Sequence, residues 1–228
     1  MTVAEIRKSP IYSGLYGIPE SARYLANTPP LINGNRVETA KLRYWIKTSV
    51  PPIQEVEFPS RQRLISFLDL ISMRMIAILR SRKIALEEIR NTEIWLRKDL
   101  GIPSPLASKG LWTYGHHIYI KFEEHILAAS KFGQQAMDFV RSWLSEVEID
   151  MTFDSNELAD TWLIYKDIRL NPKIQFGEPC IDGTRIPIST IWSNYIAGDT
   201  VKTISCAHNL NVPQVESVID WEKRFVAT

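Results

Sequence analysis

One stretch near the end of the sequence, residues 171–188, constrains the fold more than any other, and we name it the signature segment. It reads NPKIQFGEPCIDGTRIPI. Gly, Pro and Asn recur along it with apolar residues between them, a composition that favours a defined series of tight turns over a helix or a disordered linker. We expect eight of its residues to form a structural turn: Asn171, Pro172, Gly177, Pro179, Gly183, Thr184, Arg185 and Pro187.

Two roles are open for Arg185 within this turn. Its guanidinium group either braces the turn through hydrogen bonds to backbone carbonyls or stays available for a carboxylate on a partner.

The signature segment resembles the family called domain of unknown function 433. The shared pattern is Asn-Pro, then Gly-x-Pro, then Ile-x-Gly-Thr-Arg-Ile-Pro and a short helical bundle, and the resemblance covers about residues 166–225. Many members of that family look like antitoxins paired with PIN-domain ribonuclease toxins. The resemblance therefore implies a binding protein and not an enzyme.

Charge divides the chain into a basic and an acidic half. Residues 1–110 hold 17 Lys and Arg against 10 Asp and Glu, whereas residues 111–228 hold 10 against 16. The basic half indicates a polyanion partner, because cations that neutralise phosphates supply the sequence-independent part of nucleic-acid affinity, although solvated surface charges are the alternative. The acidic half favours a protein partner.

Two short helices are predicted in the basic half. The first, near residues 18–25, places Ile18, Ala22 and Leu25 at helical spacing. The second, residues 36–47, carries polar and cationic side chains around an apolar side made of Val37, Leu42, Trp45 and Ile46. Such a pair is what a helix-turn-helix needs to enter a major groove about 12 Å wide.

The second of these helices also resembles a known DNA-binding family. Its run Leu42-Arg43-Tyr44-Trp45 is similar to the recognition helix of MerR-type regulators, and residues 64–90 resemble the wing and the two helices that follow it. The candidate DNA contacts are Arg36, Thr39, Lys41, Arg43, Tyr44, Lys47, Arg61 and Arg63. For Tyr44 and Trp45 a place in the core is favoured over base contact, most strongly for Trp45.

Clusters of Gly and Pro, which end helices, and runs of residues that favour strands divide the sequence into three predicted segments. Residues 1–105 are expected to form a MerR-like winged helix-turn-helix DNA-binding domain, ending at the Gly and Pro cluster of residues 101–105. Residues 106–165 are expected to be a linker with short helices and a β-hairpin around Gly115. Residues 166–228 are expected to form the tri-helical domain like family 433. The predicted fold class is mainly α.

The sequence carries no catalytic or metal-binding motif. It lacks HExxH, CxxC, GxSxG and GxxxxGK patterns, so no catalytic residue, metal or cofactor is predicted. Cys180 and Cys206 are expected to be inert thiols. The chain shows neither an apolar stretch of about 18 residues nor a secretion signal, so we expect a cytoplasmic protein without a membrane partner.

Taken together, the two resemblances match the larger VapB-type antitoxins. They imply an antitoxin that blocks a PIN-domain (VapC-like) ribonuclease toxin and, as a homodimer, binds double-stranded operator DNA to repress its own transcription. The alternative is a stand-alone MerR-like transcription regulator. A nuclease is a more distant alternative, because it needs paired carboxylates, and acidic residues such as Glu148 and Asp150 are irregularly spaced.

Overall fold

The computed structural model describes residues 14–28, 37–48, 64–81, 84–99, 101–109 and 150–226. The chain divides into two compact units, one made of residues 16–159 and one of residues 160–228 together with residues 1–15.

Short helices dominate the described residues before residue 110. In chain order the elements are β1 (Leu15–Gly17), α1 (Ile18–Asn27), α2 (Thr39–Lys47), β2 (Leu64–Ser66), α3 (Phe67–Ser81), α4 (Leu86–Asp99) and a 3-10 turn (Pro105–Ala107). Strands β1 and β2 pair in a two-stranded sheet. Helix α1 packs against α2 and α3, so the predicted helix pair is present.

Helix α3 forms the core of the first unit. It is apolar nearly all round, and such a helix is stable only when it is buried on every side. Residues Leu70, Ile71, Met73, Met75 and Ile76 are fully inaccessible to solvent. Neighbours α1, α4, β2 and the 3-10 turn supply the surrounding contacts.

The start of α3 is set by a reciprocal cap. The apolar periodicity of the sequence begins at Leu64, but residues Leu64–Ser66 form β2 and the helix begins at Phe67. The Ser66 hydroxyl accepts from the Asp69 backbone N–H at 3.1 Å, and the Asp69 carboxylate accepts from the Ser66 backbone N–H at 3.2 Å. This capping box satisfies backbone donors that the first turn would otherwise leave unpaired.

A buried ion pair links α3 to the chain before β3. The Arg74 side chain is 5% exposed and pairs with the Asp150 carboxylate, which is 20% exposed. Asp150 is one of the carboxylates that a nuclease would need for a metal ion. Its engagement with Arg74 gives it a part in packing the first unit.

The described residues after residue 150 combine strands with helices. They form β3 (Met151–Phe153), β4 (Ala159–Tyr165), β5 (Ile168–Leu170), a 3-10 turn (Gln175–Gly177), β6 (Cys180–Ile181), α5 (Ile188–Ile196), α6 (Val201–His208) and α7 (Val212–Val226). The strands lie in the order β3-β4-β5-β6, and β5 is antiparallel to both of its neighbours. Trp162 faces Leu170, and Ile168 faces Ile181.

The prediction of a mainly α chain with only a small β-hairpin is therefore wrong. A four-stranded sheet, whose last strand β6 lies within the signature segment, makes the chain a mixture of helix and strand. Strand β4 contains the sequence ADTWLIY, in which β-branched and aromatic residues favour a strand. The other strands, β3, β5 and β6, have only three, three and two residues, so the alternation of each one is too brief to recognise by itself.

The three helices predicted after Pro187 are present as α5, α6 and α7. Their inward side chains Ile191, Ile204, Val215 and Trp221 are fully buried. The Thr200 side chain caps α6 by accepting from the Thr203 N–H at 3.2 Å, and Asn209 ends the same helix with a left-handed φ of 51°. The domain is not tri-helical alone, since β4–β6 belong to it.

Helix α7 is held to the β4–β5 hairpin by an aromatic and polar network. Trp221 lies against the Tyr165 ring at 5.6 Å between centroids. The Tyr165 hydroxyl donates to Asp220 and accepts from Arg224 at 2.7 Å. The hydrogen bond from the Tyr165 hydroxyl lowers the pKa of Asp220 most, and Lys166 and Arg224 lower it further. The charged form of Asp220 is therefore favoured.

Two predicted elements, the β-hairpin around Gly115 and a helix near residues 139–144, lie outside the described residues. Among the helices that are described, none has the length and apolar character needed to cross a membrane.

Replacing Ser66 with Ala should destabilise the first unit by about 1 kcal/mol, because the first turn of α3 loses its side-chain acceptor. Thermal unfolding followed by circular dichroism measures the change. Ser81→Ala is the matched control at the other end of the helix, where the hydroxyl bonds the Ile78 carbonyl and caps no N–H. Equal midpoints for the two variants would contradict the capping role.

Candidate functional site

Helix α2, the predicted DNA-reading helix, presents a cationic surface. Leu42 and Trp45 are buried in the core of the first unit. Because a helix turns about 100° per residue, the positions opposite and beside them face solvent. Five predicted DNA contacts occupy those positions, and we name them the cationic face: Thr39, Lys41, Arg43, Tyr44 and Lys47.

Exposure differs along this face. Arg43 and Lys47 are exposed, whereas Thr39 and Lys41 flank the buried side and are half-buried. Tyr44 is 58% exposed, which corrects the expectation that its ring packs in the core, while Trp45 is 3% exposed. The exposed part of the face therefore carries one aromatic ring and two cationic side chains.

The cations of this face are not neutralised within the described part of the chain. Lys41, Arg43 and Lys47 form no ion pair with any described residue. Unpaired surface cations on one helix side are what phosphate binding needs. The remaining predicted contacts, Arg36, Arg61 and Arg63, lie outside the described residues.

The signature segment forms a second candidate site, in the C-terminal unit. It runs from the end of β5 through the 3-10 turn and β6 to the start of α5. Pro172, Gly177 and Pro179 are buried, and Pro187 is half-buried. The Pro179 carbonyl accepts from the Ile188 N–H at 3.0 Å, and Cys180 and Pro187 form an isolated β-bridge. The prolines thus lie where the segment folds back on itself.

Side chains of the segment hold its own backbone. The half-buried Asn171 accepts from the Lys173 N–H at 2.8 Å and donates to the Thr161 hydroxyl at 2.9 Å. The half-buried Thr184 accepts from the Ile186 N–H at 3.0 Å and donates to the Ile181 carbonyl at 2.9 Å. These local bonds are the turn chemistry expected of Asn and Thr.

Two glycines take backbone conformations that other residues rarely adopt. Gly183 has φ +74° in the turn after β6, and Gly177 has φ +90° at the end of the 3-10 turn. The two residues before Gly177 are also left-handed, with φ 46° at Gln175 and φ 56° at Phe176. A positive φ is unusual for a bulky side chain such as Phe and marks local strain.

An ion pair that the sequence pattern did not indicate braces the Gly183 turn. The Arg169 guanidinium pairs with the Asp182 carboxylate, with Nη2 to Oδ2 at 3.0 Å and Nε to Oδ1 at 2.9 Å. Strand pairing sets Arg169 opposite Cys180, two residues before Asp182. Only the register of β5 and β6 brings the two charges together, since thirteen positions separate them in the chain.

Arg185 does not brace the turn. Its side chain is exposed and makes no hydrogen bond or ion pair with any residue that the structure describes. Of the two roles left open for it, a free guanidinium group is the one that this geometry favours. Its backbone carbonyl accepts from Gln175 Nε2 at 3.1 Å, which ties the Gly183 turn to the 3-10 turn.

A partly open groove of about 550 Å³ lies along the signature segment. Apolar Ile174, Cys180 and Ile181 contribute to its lining, and polar groups of Asn171, Thr161, Thr184 and both arginines surround them. A site with a few directed polar groups over an apolar floor is suited to binding. Within the described ranges, no cluster of three or more potential metal ligands occurs.

Cys180 lies in this groove as a buried thiol. Burial, and secondarily the charge of Glu178, raises its pKa to about 11. Its Sγ donates to the Glu178 carbonyl at 3.4 Å. The thiol form therefore prevails at neutral pH, whereas Cys206 is an exposed free cysteine.

Part of the chain matches a known protein family. Residues 168–221 match the family described as Protein of unknown function (DUF433). This range begins with β5 and ends in α7, so it contains the whole signature segment. The match confirms the resemblance predicted for this part of the chain, while the antitoxin and MerR-like resemblances stay predictions.

A solved structure is similar in fold. The crystal structure of Rv2018 from Mycobacterium tuberculosis has a TM-score of 0.65 to this chain, with 21% sequence identity, and the similarity covers 93% of this chain and 98% of that one. At this identity the likeness concerns the fold alone. No curated protein matches the chain.

Gly183→Val should destabilise the C-terminal unit by about 1–3 kcal/mol, because a β-branched residue is strained at φ +74°. A Cβ at this position meets no atom within 4 Å, so the backbone conformation alone accounts for the loss. Gly183→Asn is the control, since Asn tolerates the left-handed region, and it should cost less. A Gly183→Val thermal midpoint equal to that of the wild type would refute the role of this glycine.

Alkylation should distinguish the two cysteines. With iodoacetamide at pH 8 we expect Cys206 to be modified and Cys180 to be protected, because Cys180 is buried and its pKa is about 11. Peptide mass spectrometry measures both sites, and unfolding in urea should equalise them. Equal labelling of the folded chain would show that the Cys180 thiol is accessible.

Proposed function

We propose that this chain is the antitoxin of a type II toxin-antitoxin system, which blocks a PIN-domain (VapC-like) ribonuclease and binds operator DNA to repress its own transcription. The observation that carries the proposal is the cationic face of α2, whose cations project outward without ion-pair partners among the described residues. Residues 168–221 match a family described as of unknown function, and it is the resemblance of this segment to antitoxins that implies a second, separate binding function in the C-terminal unit.

The DNA-binding half of the proposal follows from side-chain chemistry. Arg43 and Lys47 lie one helical turn apart and reach outward on the same side. Arg makes bidentate hydrogen bonds to guanine in the major groove, and Lys binds the phosphate backbone. The exposed Tyr44 between them can contact phosphate or a base edge. A homodimer would set two such helices on half-sites about one DNA turn apart and multiply their specificity.

The toxin-blocking half rests on what the resemblance implies. PIN ribonucleases hold Mg²⁺ with clustered acidic residues and bind RNA beside them. An inhibitor can occlude the RNA groove or place a cation near the carboxylates, and either route needs only surface complementarity. The acidic excess of residues 111–228 suits a basic RNA-binding rim on the toxin and would steer association.

A stand-alone transcription regulator is the second candidate, and the groove along the signature segment is what favours it. A space of about 550 Å³ is large enough for a small molecule. In that case the C-terminal unit would sense a ligand. Its lining is polar as well as apolar, so such a ligand would carry hydrogen-bonding groups.

The double variant Arg43→Ala, Lys47→Ala should weaken binding to the DNA upstream of its own gene and reduce the slope of log affinity against log salt by about one to two. Fluorescence anisotropy across a salt series measures both. The control is Lys98→Ala, Lys202→Ala, which removes two exposed cations from other helices. Unchanged affinity in the first variant would overturn the assignment of the DNA-binding face.

The toxin assignment is tested by purifying the tagged chain from its native host and identifying co-purifying proteins by mass spectrometry. We expect a near-stoichiometric PIN-domain protein whose ribonuclease activity falls when the chain is added. A pure, folded chain that brings down no such protein would move the function to the stand-alone regulator.

A further inference from the structure

The C-terminal unit exposes an aromatic ring that its own fold does not use. Phe176 is 93% exposed, far more than any other large apolar residue described. Its backbone is left-handed, with φ 56°, as is that of Gln175 before it. A bulky side chain gains nothing locally from this conformation, and strain of this kind is concentrated at sites with a function.

A second exposed side chain, Arg185, lies on a turn that is hydrogen-bonded to the Phe176 turn. Gln175 Nε2 donates to the Arg185 carbonyl at 3.1 Å, so the turn that carries Phe176 is bonded directly to the turn that carries Arg185. Arg185 is exposed and has no partner among the described residues, whereas Arg169 and Lys173 are paired with Asp182 and Asp160. Among the described residues, Arg185 is therefore the unpaired cation of these two bonded turns.

We propose that Phe176 and Arg185, the docking pair, form the contact through which this chain holds its protein partner. The ring inserts into an apolar pocket of the partner, and the Arg185 guanidinium binds a carboxylate at the rim of that pocket. Aromatic residues and Arg dominate the binding energy of protein interfaces, particularly when they are fixed before binding. This inference rests on the proposed function, because it takes the PIN-domain protein as the partner.

Hydrogen bonds hold the turn that carries Phe176 in place before any partner binds. Gly177 N–H donates to the Ile174 carbonyl at 2.9 Å and Glu178 N–H to the Gln175 carbonyl at 3.0 Å, so both sides of the Phe176 turn are closed. The Ser189 hydroxyl donates to the Glu178 carboxylate at 2.5 Å and holds the turn to α5. The ring is therefore held out by backbone that loses little freedom on association.

A protein fits this pair better than a nucleic acid. Exposed rings beside Arg also stack on unpaired bases. A strand of RNA, however, needs several cations along its backbone, and residues 160–228 carry seven Lys and Arg against eight Asp and Glu. With the neighbouring cations already paired, one guanidinium group and one ring suit a single carboxylate next to an apolar pocket.

The test measures the affinity of the PIN-domain protein recovered with the wild-type chain, by isothermal titration calorimetry. Phe176→Ala and Arg185→Ala should each weaken binding at least 10-fold. The loss of affinity in Arg185→Ala should be smaller at high salt, because the contact removed is an ion pair. The loss of affinity in Phe176→Ala should not depend on salt. Ile196→Ala and Lys202→Ala, which remove an exposed apolar residue and an exposed cation elsewhere on the unit, should leave binding unchanged.

Phe176→Asn provides the control for folding. Asn tolerates a left-handed backbone, so this variant should unfold at or above the wild-type temperature and still lose the partner. Stability and binding that fall together would assign Phe176 a structural role and overturn the inference.

Failure of the docking pair and failure of the antitoxin function give different results. Wild-type affinity in both docking-pair variants would overturn the docking pair and leave the antitoxin function intact. A chain that recovers no PIN-domain protein would overturn both. If Phe176→Ala no longer binds labelled oligouridine but still binds the PIN-domain protein as the wild type does, the docking pair binds RNA.

Discussion

The path of the backbone between β5 and α5 is the constraint on which the surface of the signature segment depends. Over residues 171–187 no regular element exceeds three residues, so the polar groups of the main chain cannot be satisfied by a helix or sheet alone. Asn171 and Thr184 supply the missing partners, and glycines occupy left-handed positions. The result is a rigid turn with a groove, an exposed ring and a free guanidinium group.

The two units present surfaces of different chemistry. In the first unit, burial of Leu42 and Trp45 orients the cations of α2 outward, a surface suited to phosphates. In the C-terminal unit Lys173 and Asp182 of the signature segment are paired with Asp160 and Arg169, whereas Arg185 has no ion-pair partner among the described residues. The antitoxin function proposed for this chain would use two such surfaces, one for DNA and one for a protein.

Sequence patterns placed some residues of this chain correctly and others wrongly. Helical spacing correctly placed Leu42 and Trp45 inside, whereas Tyr44, for which the core was favoured over base contact, is turned to solvent by the helix. Periodicity found the three helices after Pro187 and missed the sheet, since β5 and β6 have only three and two residues. The Arg169–Asp182 pair could not be found, because it depends on strand register.

By itself the sequence determined the local features: the turns at Gly177 and Gly183, the helices with a clear apolar side, and the charge of each half. These follow from the φ preferences of single residues and from spacings within about ten positions. Only the tertiary structure decided which cations are free and which ring is exposed. Pairing and burial depend on residues distant in the chain. Among the described residues Arg169 is paired with Asp182, Arg185 has no ion-pair partner, and Phe176 is exposed to solvent.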